Sequence, residues 1–131
     1  MRSALWPQAL DEHPGAIDTF LSGESKFIDE ALVCEAESGG LVGFLELRVR
    51  NYAEGTDSLA VPYVEGWYVD PGYRLRGAGT SLIRHAERWA VESGYSELAS
   101  DTEIANVDSI AAHRALGFEV TDKIVCLLKK L

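Results

Sequence analysis

Two cysteines among 131 residues, Cys34 and Cys126, are too few for a disulfide framework. Both lie in apolar stretches that read as strands, where free thiols of a reducing compartment are expected to be buried. The three histidines, His13, His85 and His113, fall at no spacing that would gather metal ligands, so no metal is expected. Basic residues are also scarce: 12 Lys and Arg against 21 Asp and Glu leave a formal charge of -9. A surface this acidic keeps a protein soluble, repels nucleic-acid phosphates and anionic lipid, and attracts cations. Neither nucleic acid nor membrane is therefore an expected partner, and a cationic small molecule is. No apolar run approaches the roughly 20 residues that span a bilayer. The opening MRSALWPQALDEHPG has no apolar signal-peptide core, so the expected location is the cytoplasm.

What remains is the balance of a globular protein, with 47% apolar and 25% charged residues, and a length that makes one domain over residues 1–131. Residues 1–22 carry helical fragments interrupted by Pro7 and Pro14. Phe27 to Glu35 is rich in strand-forming residues, and Ser38-Gly39-Gly40 turns the chain into an alternating run. Leu41, Gly43, Leu45, Leu47 and Val49 share one face of it, and Val42, Phe44, Glu46 and Arg48 the other, which predicts a β-hairpin. Val61 to Val69 reads as a third strand, in which Gly66 marks a bulge or a close backbone approach. The period then changes: Leu82, Ile83, Ala86, Trp89 and Ala90 lie at helical spacing before Ser93-Gly94. Ser96–Ser100 predicts a short strand, and Asn106 caps a second helix with Ile110, Ala111, Ala115 and Leu116 toward the core. Ile124 to Leu128 predicts a last strand. This order makes an α/β or α+β sandwich.

The segment VDPGYRLRGAGTSLIRHAERW carries the chemistry. A strand ends at Val69, Pro71 turns the chain, and Arg74 to Gly79 leads into a helix. Gly77 and Gly79 let a ligand approach the backbone, and the unpaired amides of the helix start attract anions such as a pyrophosphate. Arg74 and Arg76 add positive charge to a protein that is otherwise negative. No Gly-Lys-Ser/Thr follows, which excludes a nucleotide-hydrolase phosphate loop, and the third glycine of a dinucleotide fingerprint is missing. The residues alone leave open a plain strand-to-helix turn with surface arginines.

VDPGYRLRGAG resembles the coenzyme A signature of the GNAT N-acetyltransferases, and NVDSIAAHRALGF is similar to that family's helix ending in Leu-Gly-Phe. ALWP, NYAEGTDS, VEGWYV, ELASDT and HRALGFEVTD, in this order, resemble the aminoglycoside 6′-N-acetyltransferases within it. The resemblance implies a mixed, mostly antiparallel twisted sheet flanked by helices; the subgroup's first strand lies upstream of ALWP, so either the start is assigned late here or that strand is lacking. It also implies acetyl-CoA as cosubstrate, a cationic small-molecule amine as acceptor, and a homodimer. Trp67, Tyr68 and Val69 would pair with the pantetheine arm. Arg74, Leu75, Arg76, Gly77, Ala78 and Gly79 would hold the pyrophosphate, and Asn106 would touch coenzyme A. The Val69 amide would donate to the carbonyl oxygen, and His113 stands where many relatives place a tyrosine proton donor.

On the acceptor side, Glu65, Asp101 and Asp122 are the expected carboxylates, with Trp6 and Tyr52 as an aromatic wall. Alternation puts Glu65 on a face with Val61, Tyr63, Trp67 and Val69, where a charge needs a cation or a raised pKa. A substrate ammonium would supply the first and a general base would use the second, so Glu65 is an expected catalytic residue as well as an acceptor contact. Each residue has an ordinary structural reading beside this one. Glu65 would pair with Arg48 across the hairpin, Asp101 and Asp122 would be turn residues, and His113, Trp6 and Tyr52 would be packing. Ala9 stands where the subgroup has a histidine. The same chemistry on a peptide N-terminus, polyamine or lysine, and a non-catalytic acetyl-CoA-binding module, are the alternative readings.

Overall fold

A computed structural model describes all residues, 1–131. The chain opens with two helices, α1 (Arg2–Leu5) and α2 (His13–Leu21), joined through a 3₁₀ turn at Pro7–Ala9. Pro14 lies in the first turn of α2, where its missing N–H costs nothing. Strands β1 (Glu30–Glu35), β2 (Leu41–Arg50) and β3 (Val61–Val69) form an antiparallel meander. The helix α3 (Ala78–Glu92) then crosses to β4 (Ala99–Ser100), which pairs parallel to β3, and α4 (Val107–Ala115) follows. The sheet order is β1-β2-β3-β4.

β2 has both faces covered, with Val42 through Leu47 buried. On one side Leu45 and Leu47 join Val64 of β3 and Leu82, Ile83 and Ala86 of α3 in the main core. Trp6 meets Phe44 edge-on from the other side, with ring centroids 5.9 Å apart. The expected faces of β2 and α3 are therefore the observed ones.

β3 departs from simple alternation. Glu46 of β2 lies opposite Gly66 while Leu47 lies opposite Val64, so Glu65 is a surplus residue in the ladder. Beyond this bulge the faces exchange. Trp67 and Val69 pack on the α3 side with Val64, whereas Tyr68 packs toward Phe44, 6.0 Å between centroids. Glu65 thus does not share a face with Trp67 and Val69 as unbroken alternation predicts. Gly66 serves the close approach as well as the bulge, because a methyl group there would stand 2.4 Å from Cη2 of Trp6.

Several expected elements are shorter or missing. The strand predicted over Ser96–Ser100 pairs only at Ala99 and Ser100. The helix capped by Asn106 forms, with the Asn106 side chain accepting from the Ser109 amide at 3.1 Å, but none of its residues is fully buried. No strand forms over Ile124–Leu128. The chain is tied down at Thr121, whose hydroxyl donates to the Glu54 carbonyl at 3.1 Å, and then runs exposed to its end. Strand propensity in 124–128 has no partner to satisfy its backbone within this chain. Cys126 is consequently exposed and Cys34 half-buried, where burial was expected for both. No helix is long and apolar enough to cross a membrane.

Gly66→Ala is expected to destabilise the protein by about 1–3 kcal/mol, the usual cost of forcing an atom into a rigid, filled space. Gly72→Ala, where nothing lies within 4 Å, serves as control. Thermal melts in which both variants match the wild type would contradict the packing of Trp6 on the bulge.

Candidate active site

The segment expected to take the cofactor is built by the end of β3 and the start of α3. The Asp70 amide donates to the Val42 carbonyl at 2.8 Å, so at this point β3 directs Asp70 and Tyr68 toward β2. In an antiparallel ladder the intervening amides face the other way, which turns the N–H groups of Trp67 and Val69 outward. β4 pairs with β3 only at Tyr63 and Val64. The outer edge of β3 from Glu65 to Val69 is therefore open, as required for a ligand strand and an oxyanion donor at Val69.

The chain then makes a 3₁₀ turn at Pro71–Tyr73, and Arg74 Nε donates back to the Val69 carbonyl at 2.9 Å. Arg76 lies over the Tyr73 ring, 5.7 Å from its centroid. Leu75 is fully exposed and has φ 59°, a strained value for a residue with a Cβ. Gly77 caps α3 with φ 89° and open space above it. No side chain caps this helix, and the first intrahelical bond comes from the Ser81 amide to the Gly77 carbonyl. The amides of Ala78, Gly79 and Thr80 are thus available to an anion. Gly79 has a different reason to be glycine: a Cβ would stand 3.1 Å from Cζ2 of Trp67. Asn106 Oδ1 is spent on its helix cap, which leaves its amide NH₂ for a ligand.

His113 is clamped. Nδ1 lies 2.8 Å from the Ser109 carbonyl, an acceptor only, so Nδ1 carries a proton. Nε2 lies 2.9 Å from the Ser100 hydroxyl, which in the neutral ring donates to it. The ring sits edge-on to Trp67 and to Phe118, both at 5.1 Å. Ser100 is a neighbour that the sequence reading did not single out.

On the opposite face lies a cavity of about 780 Å³ bounded by α1, α2, the 24–28 segment and the bulge. Trp6 and Glu65 line it, together with Arg2, His13, Glu46 and Arg48. Glu65 is held by Arg50, not Arg48: the guanidinium donates from Nε and Nη2 to the two carboxylate oxygens at 2.8 and 2.7 Å. Arg48 instead lies over Phe27. Arg50 also stacks on Tyr63, 3.5 Å from the ring centroid, and the Tyr63 hydroxyl donates to Asp101 at 2.8 Å. The fork from Glu65 raises the pKa of Arg50. Burial, and then the bond to Asp101, raises that of Tyr63.

Glu65, Arg50, Tyr63 and Asp101 therefore form one connected chain of contacts. Asp122 is not part of it; it is exposed and accepts from the Lys123 amide at 2.7 Å. Tyr52 is exposed and does not line the cavity.

The principal residue missed by sequence reading is Glu46. It is 6% exposed, lies opposite Gly66 and accepts from Arg2 through Oε1. Burial raises its pKa, against the lowering effect of Arg2. The available signal was a carboxylate following Val42 and Phe44 on one face of β2, with Arg48 beyond it.

Residues 2–118 match the model of the acetyltransferase (GNAT) family. The chain is 42% identical to an aminoglycoside N(6′)-acetyltransferase type 1 of Klebsiella aerogenes, over all of this chain and 87% of the relative. Identity to the Serratia marcescens protein of the same name is 37%, over all of this chain and 89% of that one. Among solved structures, AAC(6′)-Iy in complex with the bisubstrate analogue CoA-S-monomethyl-acetylneamine superposes with a TM-score of 0.90 at 33% identity, covering all of this chain and 88% of that chain. The apo aminoglycoside 6′-N-acetyltransferase AAC(6′)-IG from Acinetobacter haemolyticus gives 0.85 at 36% identity, covering 99% and 88%. With the open β3 edge and the uncapped start of α3 on a mixed sheet, these matches have one meaning: the chain belongs to the GNAT acetyltransferase family.

Proposed function

We propose that this protein is an aminoglycoside 6′-N-acetyltransferase that uses acetyl-CoA as cosubstrate and works in the cytoplasm. The observation that carries the reading is the continuity of one surface. The outward amides of Trp67 and Val69 run directly into the free amides of Ala78, Gly79 and Thr80, and the acceptor cavity opens on the other face of the same strand. The relatives named above, and the AAC(6′)-Iy structures solved with CoA, support the choice of both substrates. Two unpaired cysteines fit a reducing compartment.

Acetyl-CoA supplies an acetyl group already activated as a thioester. Arg74, Arg76 and the α3 amides hold its phosphates, Asn106 offers its NH₂ group, and the outer edge of β3 aligns its arm. The Val69 N–H is aimed at developing negative charge on the carbonyl oxygen. His113 is the candidate proton donor to the departing thiolate. With Nδ1–H committed to Ser109, any proton it gives must leave from Nε2, by way of the Ser100 hydroxyl. Glu65 orients the cationic sugar in the cavity, Asp101 stands outside it and is joined to Glu65 through Tyr63 and Arg50, and Trp6 provides an apolar wall. Asp122 and Tyr52 stand outside this cavity and take no part in the proposed acceptor site.

The acceptor cavity is more evenly charged than the whole protein. Glu12, Glu24, Glu46 and Glu65 face Arg2, Lys26 and Arg48. Selectivity should therefore rest on the reacting amine as well as on bulk attraction. Thiol release from acetyl-CoA is expected with aminoglycosides that carry a 6′-amine, and at least tenfold slower with those carrying a 6′-hydroxyl. Equal rates on both, or turnover of a peptide amine alone, would move the assignment to another acceptor.

We also propose a homodimer. Ile124, Val125, Leu127 and Leu128 are 59–90% exposed, an apolar run with no partner in its own chain. A second copy would cover it and satisfy its strand backbone. Sedimentation is expected to give a dimer for the wild type and a monomer for Val125→Asp/Leu127→Asp. A wild-type monomer at micromolar concentration would contradict this.

A further inference from the structure

We infer that Glu46 is the general base of the reaction, the carboxylate that receives the acceptor ammonium and takes its proton. This rests on the reading above that the cavity beside the bulge holds the acceptor.

Two carboxylates flank the bulge, and their hydrogen bonding separates their roles. Both oxygens of Glu65 are engaged by the fork of Arg50. Glu65 can therefore fix charge and orientation, but a proton arriving there would break a bidentate pair. Glu46 is held through one oxygen only, by Arg2 Nη1, and its Oε2 accepts no hydrogen bond from the chain and is not sealed from the cavity. One oxygen is anchored and the other is free, which is what a positioned base requires.

Its surroundings point the same way. The charged and titratable groups facing it are Arg2 from α1, His13 from α2, and Glu65 from β3. Arg48, further along β2, and Glu12, just before α2, line the same cavity. Burial dominates and pushes the carboxyl up, Arg2 and His13 pull it down, and Glu65 adds to the rise. A carboxylate with raised proton affinity is a better base near neutral pH. Arg2 Nε and His13 Nδ1 are buried beside it without partners, polar atoms that a bound acceptor or its water can satisfy.

Position fits as well. Glu46 lies opposite Gly66, three residues before Val69. That is roughly 10 Å along the strand. The spacing of about 5 Å between β2 and β3 adds to it, so Glu46 reaches an amine attacking the carbonyl through ordered water and not directly. In the step, the ammonium gives one proton to Glu46 and the freed nitrogen lone pair forms the C–N bond. The C–S bond then breaks, the thiolate takes a proton from His113 by way of Ser100, the second nitrogen proton restores His113, and Glu46 returns its proton to solvent. Amide, thiol and one released proton balance the reaction.

The test is kinetics over pH with Glu46→Gln, Glu46→Asp and Glu65→Gln, beside calorimetry of acceptor binding to the CoA-loaded protein in two buffers of different ionisation enthalpy. Because the base must be ionised, wild-type kcat/KM should fall as pH drops through the raised pKa of Glu46. Glu46→Gln is expected to lower kcat by about 10²–10⁴-fold and to lose that acid limb. Glu46→Asp should retain part of the rate and the limb, and Glu65→Gln should chiefly raise the KM of the acceptor. Proton exchange on acceptor binding should differ between wild type and Glu46→Gln. Aminoglycoside turnover by the wild type with kcat, limb and proton exchange unchanged in Glu46→Gln would overturn the inference and leave the proposed function standing. A wild type that neither binds nor acetylates any aminoglycoside would overturn the proposed function and, with it, the assignment of this cavity.

Discussion

The surplus residue in β3 governs what each half of the strand can do. Before Glu65 the strand is locked between β2 and β4; after Gly66 it has β2 on one side and nothing on the other. A bulge adds twist and exchanges the faces of everything that follows. Here that exchange sends Trp67 and Val69 down onto α3, while Tyr63, Glu65 and Tyr68 stay on the side of Trp6. Trp6 wedges against Gly66, so the bulge is held by packing as well as by its own hydrogen bonds. The open outer edge of β3 and the cavity beside Trp6 therefore lie on different sides of the strand.

Charge is arranged around the same point. Glu46 and Glu65 are both withdrawn from bulk water, and each has an arginine of its own, Arg2 and Arg50. A buried carboxylate without a cation would be costly, and a buried pair gives little net stability, so these pairs offset the cost of withdrawing the carboxylates and add little beyond that. The arginines leave neither carboxylate as a bare charge. Tyr63 extends the arrangement to Asp101 at the end of β4.

Much of this was legible in the residues. The hairpin, β3 and α3 follow from alternation, glycine turns and helical spacing, and the Gly77 turn announces an anion site by its lack of side chains. Gly66 was readable as a bulge or a close approach, and it is both. The residue-level face of Trp67 was not readable, because alternation counts residues and a bulge adds one. The partner of Glu65 was missed for a related reason: Arg50 reaches it diagonally along the hairpin, where direct cross-strand counting offers Arg48. Glu46 escaped notice because its burial depends on α1 and α2, and no local pattern predicts where those short helices dock. The tail shows the opposite failure. Ile124 to Leu128 has strand propensity, but a strand requires a neighbour, and none exists in this chain.

Amide hydrogen exchange resolved at single residues tests the central claim, that the bulge frees the outer edge of β3 for the cofactor. In the free protein the Tyr68 amide, directed at β2, should be protected, and the Trp67 and Val69 amides should exchange faster. Saturating acetyl-CoA should slow exchange at Trp67 and Val69 and leave Tyr68 almost unchanged. Equal protection of all three amides in the free protein, with no change at Val69 on adding acetyl-CoA, would contradict it.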